Sequence, residues 1–463
     1  MNLFRLLQKR LDAGRPVRVG LIGAGKFGSM FLAQVPTTPG LEVAAIADLA
    51  PDRARAACRN VGWSEERIAA TRFTDDAVAM MGGSDVEVVV EATGHAGAGI
   101  GHARRAIECG KHIVMVNVEA DVLAGPLLAR QAERAGVVYS LAYGDQPALI
   151  CEMVDWARVC GFSVIAAGKG TKYLPEFHAS TPETVWGYYG LSPEAAREGG
   201  MNPQMFNSFL DGTKSGIEMA AVANATGLTP PPDGLAFPPV GTDDLARVLR
   251  PGNHDGALHH AGQVEVISSV HRDGRAVERD LRWGVYVVFE TDNPYTMRCF
   301  KEYGVVTDAS GRVSALYRPF HLIGLELNVS ILSAALRGEA TGAATGFRGD
   351  VVAAAKRDLR AGEVLDGEGG ACVWGRLMPA EASLAVGGLP IGLASRVPLV
   401  RDVPAGQCVT WDDVRVDAAD EAYRFRREME AAFTPPPTPS RKGRGLSSPS
   451  PLAGEGQGEG FAC

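Results

Sequence analysis

The chain has 463 residues, 46 basic against 54 acidic, with 46% hydrophobic and 22% charged content. A length of this order predicts two to four domains, and the acidic balance leaves no long basic stripe for a nucleic-acid backbone. Eight cysteines are scattered without a Cys-x-x-Cys pair, which suits a reducing compartment without a zinc knuckle.

From Met1 to Leu11 the sequence reads as a short amphipathic helix broken by charge, without the apolar core of a signal segment. No run of 18 or more uninterrupted apolar residues occurs, so a soluble, cytoplasmic protein with no membrane partner is expected. The apolar run 17–22 then leads directly into Gly23-Ala24-Gly25-Lys26-Phe27-Gly28, and a second run, 42–47, ends at Asp48. This is the pattern of a dinucleotide site. Gly23 permits the tight turn, Gly25 lets backbone approach a diphosphate, Gly28 lets the following helix pack closely, and the amides of Lys26 and Phe27 open that helix. The alternative is a glycine-rich structural turn. Asp48 suits a ribose 2′-hydroxyl and opposes a 2′-phosphate, favouring NAD over NADP, although Arg53 and Arg55 soften that preference.

Further short apolar runs at 86–91, 112–117 and 136–141 alternate with helical stretches such as Arg53–Asn60 and Ala124–Arg134. Continuous apolar strands imply burial on both faces, hence an α/β fold with a Rossmann-type doubly wound parallel sheet. Ligands of such sheets lie beyond the carboxyl ends of the strands, which places Thr93, Gly94 and Asn117 beside a nicotinamide. A helix is predicted from Pro147 to Cys160 and a strand over Phe162–Ala167. The strand runs into Gly168-Lys169-Gly170-Thr171-Lys172, whose two lysines could polarise a carbonyl or hold an anion among flexible glycines. A solvated charged loop is the plainer reading.

A long helix is predicted near 203–225, with Asn207, Asp211, Lys214 and Glu218 on one face. Either these form a solvated ion-pair ladder, or Lys214 and Glu218 line a polar cavity. Gln263–Val270 and Leu281–Glu290 flank Arg272-Asp273-Gly274-Arg275 and predict a hairpin. The Pro-rich 230–239 and the Asn/Gly/His-rich 251–262 predict loops. In Arg318-Pro319-Phe320-His321 the proline predicts a helix start, leaving Arg318 and His321 at its N-terminus to receive a phosphate or carboxylate; a surface ion pair for Arg318 is the alternative. For a divalent cation, Asp145, Glu152 and Glu218 are the carboxylates to consider. His254, His259 and His260 read as solvated loop histidines rather than a zinc site.

Residues 348–418 lose helical periodicity and contain an echo, with 356–365 resembling 400–409, which predicts a small β module. From 434 to 463, six Pro and six Gly in 30 residues predict a disordered tail.

The stretches Gly20–Gly28, Val89–Gly94, Val116–Val122, Ala166–Gly170, Phe209–Lys214, Glu218–Gly227 and Tyr317–Leu322 together resemble the deoxyxylulose-phosphate reductoisomerase-like family. The resemblance implies a homoserine-dehydrogenase-like NAD(P)-binding domain over 1–160 and an α+β catalytic domain over 161–347. It further implies a β-clip, SAF-like module over 348–418, followed by a C-terminal helix and tail over 419–463. It also implies NADPH and divalent-cation chemistry on a phosphorylated ketose. Asp48 departs from an NADPH site, and Asn117-Val118-Glu119 supplies no lysine of the kind homoserine dehydrogenases carry. The expectation is an NAD(P)-dependent oxidoreductase for a small, polar, anionic carbonyl or alcohol, with Lys169, Lys172, Lys214, Glu218, Arg318 and His321 in the catalytic site. Homo-oligomerisation is left open. The alternative is a non-catalytic, nucleotide-gated binding protein whose SAF-like module takes a partner or a sugar.

Overall fold

The computed structural model describes residues 2–252 and 256–434. The predicted tail beyond 434 and His254 lie outside the described residues. The first sheet contains β1 (Val17–Ile22), β2 (Leu41–Ala47), β3 (Arg72–Thr74), β4 (Val88–Glu91), β5 (His112–Met115) and β6 (Tyr139–Leu141). All pairings are parallel and the order is β3-β2-β1-β4-β5-β6. Val88, Val89 and Val90 are fully buried because helices cover both faces. The order reverses between β1 and β4, which opens a crevice at their carboxyl ends. The edge strand β3 carries too few apolar residues to stand out in the sequence.

The second sheet contains β7 (Ser163–Thr171), β8 (Gln263–Ser268), β9 (Val285–Glu290) and β10 (Val313–Arg318), in the order β10-β9-β7-β8. The predicted hairpin is therefore corrected. β7 lies between β8 and β9, parallel to the first and antiparallel to the second, and the connection 269–284 is long enough to cross it. The turn at 272–275 is only local, with the His271 amide donating to Arg275 O at 2.8 Å.

The long helix predicted near 203–225 is two helices, Pro203–Leu210 and Thr213–Thr226. Gly212 breaks it at φ +91°, and Asp211 caps the second helix by accepting the Thr213 amide at 2.9 Å. Nor does a helix begin at Pro319. Arg318 ends β10, a turn segment follows, and the next helix is Asn328–Arg337. The proline ends a strand here, and its fixed φ suits that turn as well as a helix start.

The C-terminal β module holds β11 (Gly349–Ala355), β12 (Val364–Asp366), β13 (Val373–Pro379) and β14 (Ser395–Pro398), paired β11-β13 and β12-β14. Its two echoing segments pair with each other. Leu359 and Val403 exchange backbone hydrogen bonds, Asp402 accepts the Ala361 amide, and Asp358 accepts the Ala405 amide, each at 2.9 Å. One hydrophobic core runs from Val118 through the second sheet into Val351, Val373 and Val409, so the module is packed into the body of the protein. The closing helix Glu421–Phe433 returns to the first unit and buries Phe425 and Met429 against Ile100 and Leu127. Among the described residues, no helix is long and apolar enough to cross a membrane.

Candidate functional site

At the carboxyl ends of β1, β2 and β4 lies a cavity of about 200 Å³ lined by Gly23, Gly25, Asp48, Leu49, Arg53, Thr93 and His102. Each glycine of the turn has a distinct reason. Gly23 sits at φ +93°, and a Cβ there would meet Ala92 O at 2.7 Å. A Cβ on Gly28 would meet Gly23 O at 2.5 Å, so the helix Lys26–Gln34 can approach β1 only without one. Nothing lies within 4 Å of a Cβ built on Gly25, whose backbone faces open space. No side chain caps that helix, so its first amides stay available to an anion.

Asp48 is buried at the end of β2. Its carboxylate accepts the amides of Ala24 at 3.0 Å and Ala50 at 2.9 Å and the Arg53 guanidinium at 3.0 Å. Although burial opposes its charge, these donors hold its pKa below the usual carboxylate value. Three bonds leave a carboxylate one acceptor position. Thr93 and Gly94 follow β4 on the exposed rim, and buried Glu91 accepts from Thr93 and from His102. Glu91 Oε2 and Asn117 Nδ2 are buried polar atoms without a protein partner, and a Cβ on Gly99 would meet them at 3.3 and 3.0 Å.

Asn117 also caps the helix Val118–Ala135, accepting the Ala120 amide at 3.1 Å. Glu119, in the first turn of that helix, pairs with Lys214 of the second-sheet unit. A buried cluster of charged side chains continues from there. Lys169, near the carboxyl end of β7, pairs with Glu218 and donates to Gln146 Oε1 at 2.9 Å. Lys214 and Glu218 stand one turn apart on Thr213–Thr226. Asp145, next to Gln146, is pushed up to about 6, first by burial and then by the charge of Glu218, with Lys214 and His321 pulling it back. Lys214 is held well above its ordinary value by Glu119, Glu368, Glu218 and Asp145, which together outweigh its burial.

Several expectations need correction. Lys169 is not on a flexible loop. Gly168 and Gly170 are there because a Cβ would fall 1.7 Å from Glu265 O of β8 and 1.9 Å from Leu281 O of the segment leading into β9, so close backbone packing demands glycine at both. Lys172 lies past the strand and gives its Nζ to Tyr188 O at 3.0 Å. Asp211 and Asn207 leave the proposed helix face. Asp211 pairs with buried Lys356 of the β module at 2.8 Å, and Asn207 holds Ser180 and Gly369. Arg318 pairs with Glu326, and His321 Nδ1 donates to Trp283 O at 2.7 Å, so neither stands at a helix N-terminus. Glu152 accepts the Tyr143 hydroxyl. Among the described residues, no three or more His, Cys, Asp or Glu side chains are grouped to hold a metal ion. His259 and His260 face each other at 3.1 Å on the surface. The roles of Glu119, Gln146 and Glu368 were not read from the sequence; the polar residues after each apolar strand were the available signal for the first two.

Residues 17–117 match the family described as an oxidoreductase family with an NAD-binding Rossmann fold, of the GFO/IDH/MocA type. Residues 144–327 match the catalytic domain of oxidoreductase DRL. Among solved structures, myo-inositol dehydrogenase from Lactobacillus casei, in complex with NAD(H) and myo-inositol, is 19% identical with a TM-score of 0.27. The match covers 37% of this chain and 50% of that one. Biliverdin reductase from Synechocystis sp. PCC 6803 is 16% identical with a TM-score of 0.26, over 39% of this chain and 55% of that one. The chain spans about half the length of the solved structures it matches. No curated protein matches it. The fold of the first segment is thus of the Rossmann type, and the segment after it is similar to an oxidoreductase catalytic domain.

Proposed function

We propose that the protein is an NAD(P)-dependent oxidoreductase acting on a small polar carbonyl or alcohol, with Lys169 as the group that meets the reacting oxygen. One observation carries this reading: buried Lys169 is held between Glu218 and Gln146, and Lys214, one turn before Glu218, pairs with Glu119 in the first turn of the helix that Asn117 caps. In this reading Gly23, Gly25 and Gly28 shape the cradle and the amides of Lys26 and Phe27 face the diphosphate. Asp48 spends its remaining acceptor position on a ribose hydroxyl, which favours NAD over NADP. Thr93, Gly94 and Asn117 border the nicotinamide. When bound, that cofactor supplies or accepts hydride.

The chain's own residues do the rest. Glu218 and Gln146 take two of the three protons of the Lys169 ammonium and fix its orientation, leaving one for an incoming oxygen, where it stabilises developing negative charge. Burial strengthens that interaction and excludes water from the oxygen. Lys214, fixed between Glu119 and Glu218, places a positive charge beside Asp145 that favours its ionised form. The support favours an uncharged, hydroxyl-rich substrate. A phosphorylated ketose, or the isomerisation step of a reductoisomerase, would have to draw Lys214 or Arg318 away from Glu119 or Glu326.

The test is a screen of the purified protein against polyols, ketoses and their phosphates, following reduced nicotinamide with NAD and NADP separately. Turnover with NAD on an unphosphorylated substrate, lost in Lys169→Met, is expected. Dinucleotide binding without turnover on any of them would favour a nucleotide-gated binding protein instead.

A further inference from the structure

One side chain of the crevice carries chemistry that neither the glycine turn nor Asp48 uses. His102 stands on the helix Ala96–Glu108 that follows β4, and its side chain is one-fifth exposed. Its Nδ1 lies 3.2 Å from Oε1 of Glu91, a carboxyl without solvent exposure at the end of β4. The same oxygen accepts the Thr93 hydroxyl at 2.5 Å and the Thr93 amide at 3.3 Å. An oxygen that accepts from these donors accepts from the imidazole as well. Nδ1 therefore carries the proton, and the neutral ring keeps its lone pair on Nε2. Among the described residues, Nε2 has no hydrogen-bond partner.

His102 lines the cavity of about 200 Å³. With Nδ1 turned to Glu91, the edge of the ring that carries Nε2 is the one left for that space. Leu49 after β2, Ala77 after β3 and Ala92 after β4 give the same cavity apolar walls. Apolar walls around a single lone pair suit a flat heterocycle that bears an amino group. We propose that His102 reads the adenine ring of the dinucleotide, its Nε2 accepting a hydrogen bond from the amino group of the base. The proposal rests on reading the crevice as a dinucleotide site and names the residue that selects the base, as Asp48 selects the ribose. A purine with a carbonyl oxygen in place of that amino group turns a second lone pair against Nε2 and leaves both acceptors without a donor. Asp75, exposed and lining the same cavity, is the other free acceptor, so the test separates the two.

The experiment is calorimetric titration of the full chain with NAD and with nicotinamide hypoxanthine dinucleotide, which carries that carbonyl, as wild type, His102→Phe and Asp75→Asn. The wild type should bind NAD about five- to tenfold more tightly than the hypoxanthine analogue. His102→Phe keeps a flat ring without the lone pair and should bring the two affinities within about twofold, chiefly by weakening NAD. Asp75→Asn, at an exposed position, should leave the wild-type ratio in place, and it serves with the wild type if His102→Phe fails to fold. Equal wild-type affinities, or a ratio that survives in His102→Phe, would reduce His102 to a partner of Glu91 while the dinucleotide reading stands. A ratio lost in Asp75→Asn would overturn the assignment in favour of the carboxylate. Heat with neither dinucleotide would instead overturn the reading of the crevice, and the proposal with it.

Discussion

The glycine-lined crevice after β1 and the buried lysine cluster of the second-sheet unit are built on opposite plans. In the crevice, backbone does the work: three glycines within six positions, uncapped helix amides and one carboxylate all lie within two consecutive strand–helix units. In the cluster, side chains do the work. Lys169 and Glu218 are 49 positions apart, Lys214 and Glu119 are 95 apart, and Lys356 reaches Asp211 across 145. A backbone site tolerates change in its exposed side chains but not an added Cβ. A side-chain site fails when one member of a buried pair is lost.

The sharpest way to break this contrast is Lys169→Met. It should lower turnover by roughly 10²–10³-fold and, by leaving Glu218 buried without its cation, destabilise the fold by about 3–5 kcal/mol. Adding Glu218→Leu should restore most of the stability, measured by urea unfolding, without restoring activity. If the double variant regained turnover, the lysine would be structural. In the crevice, Gly28→Val should abolish measurable NADH binding by fluorescence and cost about 1–3 kcal/mol, since the new Cβ strikes Gly23 O. Lys26→Ala, on an exposed side chain, should change neither by much. A smaller effect is expected from Asp48→Ala with Leu49→Arg, where Leu49 is exposed and lines the cavity. The ratio of NADP to NAD affinity should rise about tenfold or more; an unchanged ratio would remove Asp48 from the cofactor site. The smallest concerns Asp145. Its raised pKa of about 6 means that stability it contributes at pH 4 is lost by pH 7, so Asp145→Asn should flatten the wild-type decline over that window.

The two plans also explain what was legible in the sequence. The strand–Gly23–Gly25–Gly28–helix order and Asp48 are local, and local patterns survive in one dimension. Lys169, Lys214 and Glu218 were visible as chemistry-bearing residues, but their partners were set by the second sheet and the β module. The misreadings have the same origin. The Asp273-Gly274 turn between two apolar runs looks like a hairpin until β7 enters between them. Asp211-Gly212-Thr213 held the signal for a helix break, a left-handed glycine followed by a new start, but the apolar residues on both sides masked it. Glu368 sits in a glycine-rich loop with no periodicity, and its placement depends on Gln204 and Asn207, more than 150 positions earlier.

The central claim is that a dinucleotide lies across the β1–β4 crevice. Calorimetric titration of the wild type with NAD and NADP tests it most directly. Saturable binding is expected for NAD, tighter than for NADP and lost in Gly28→Val; no heat with either dinucleotide would contradict the account.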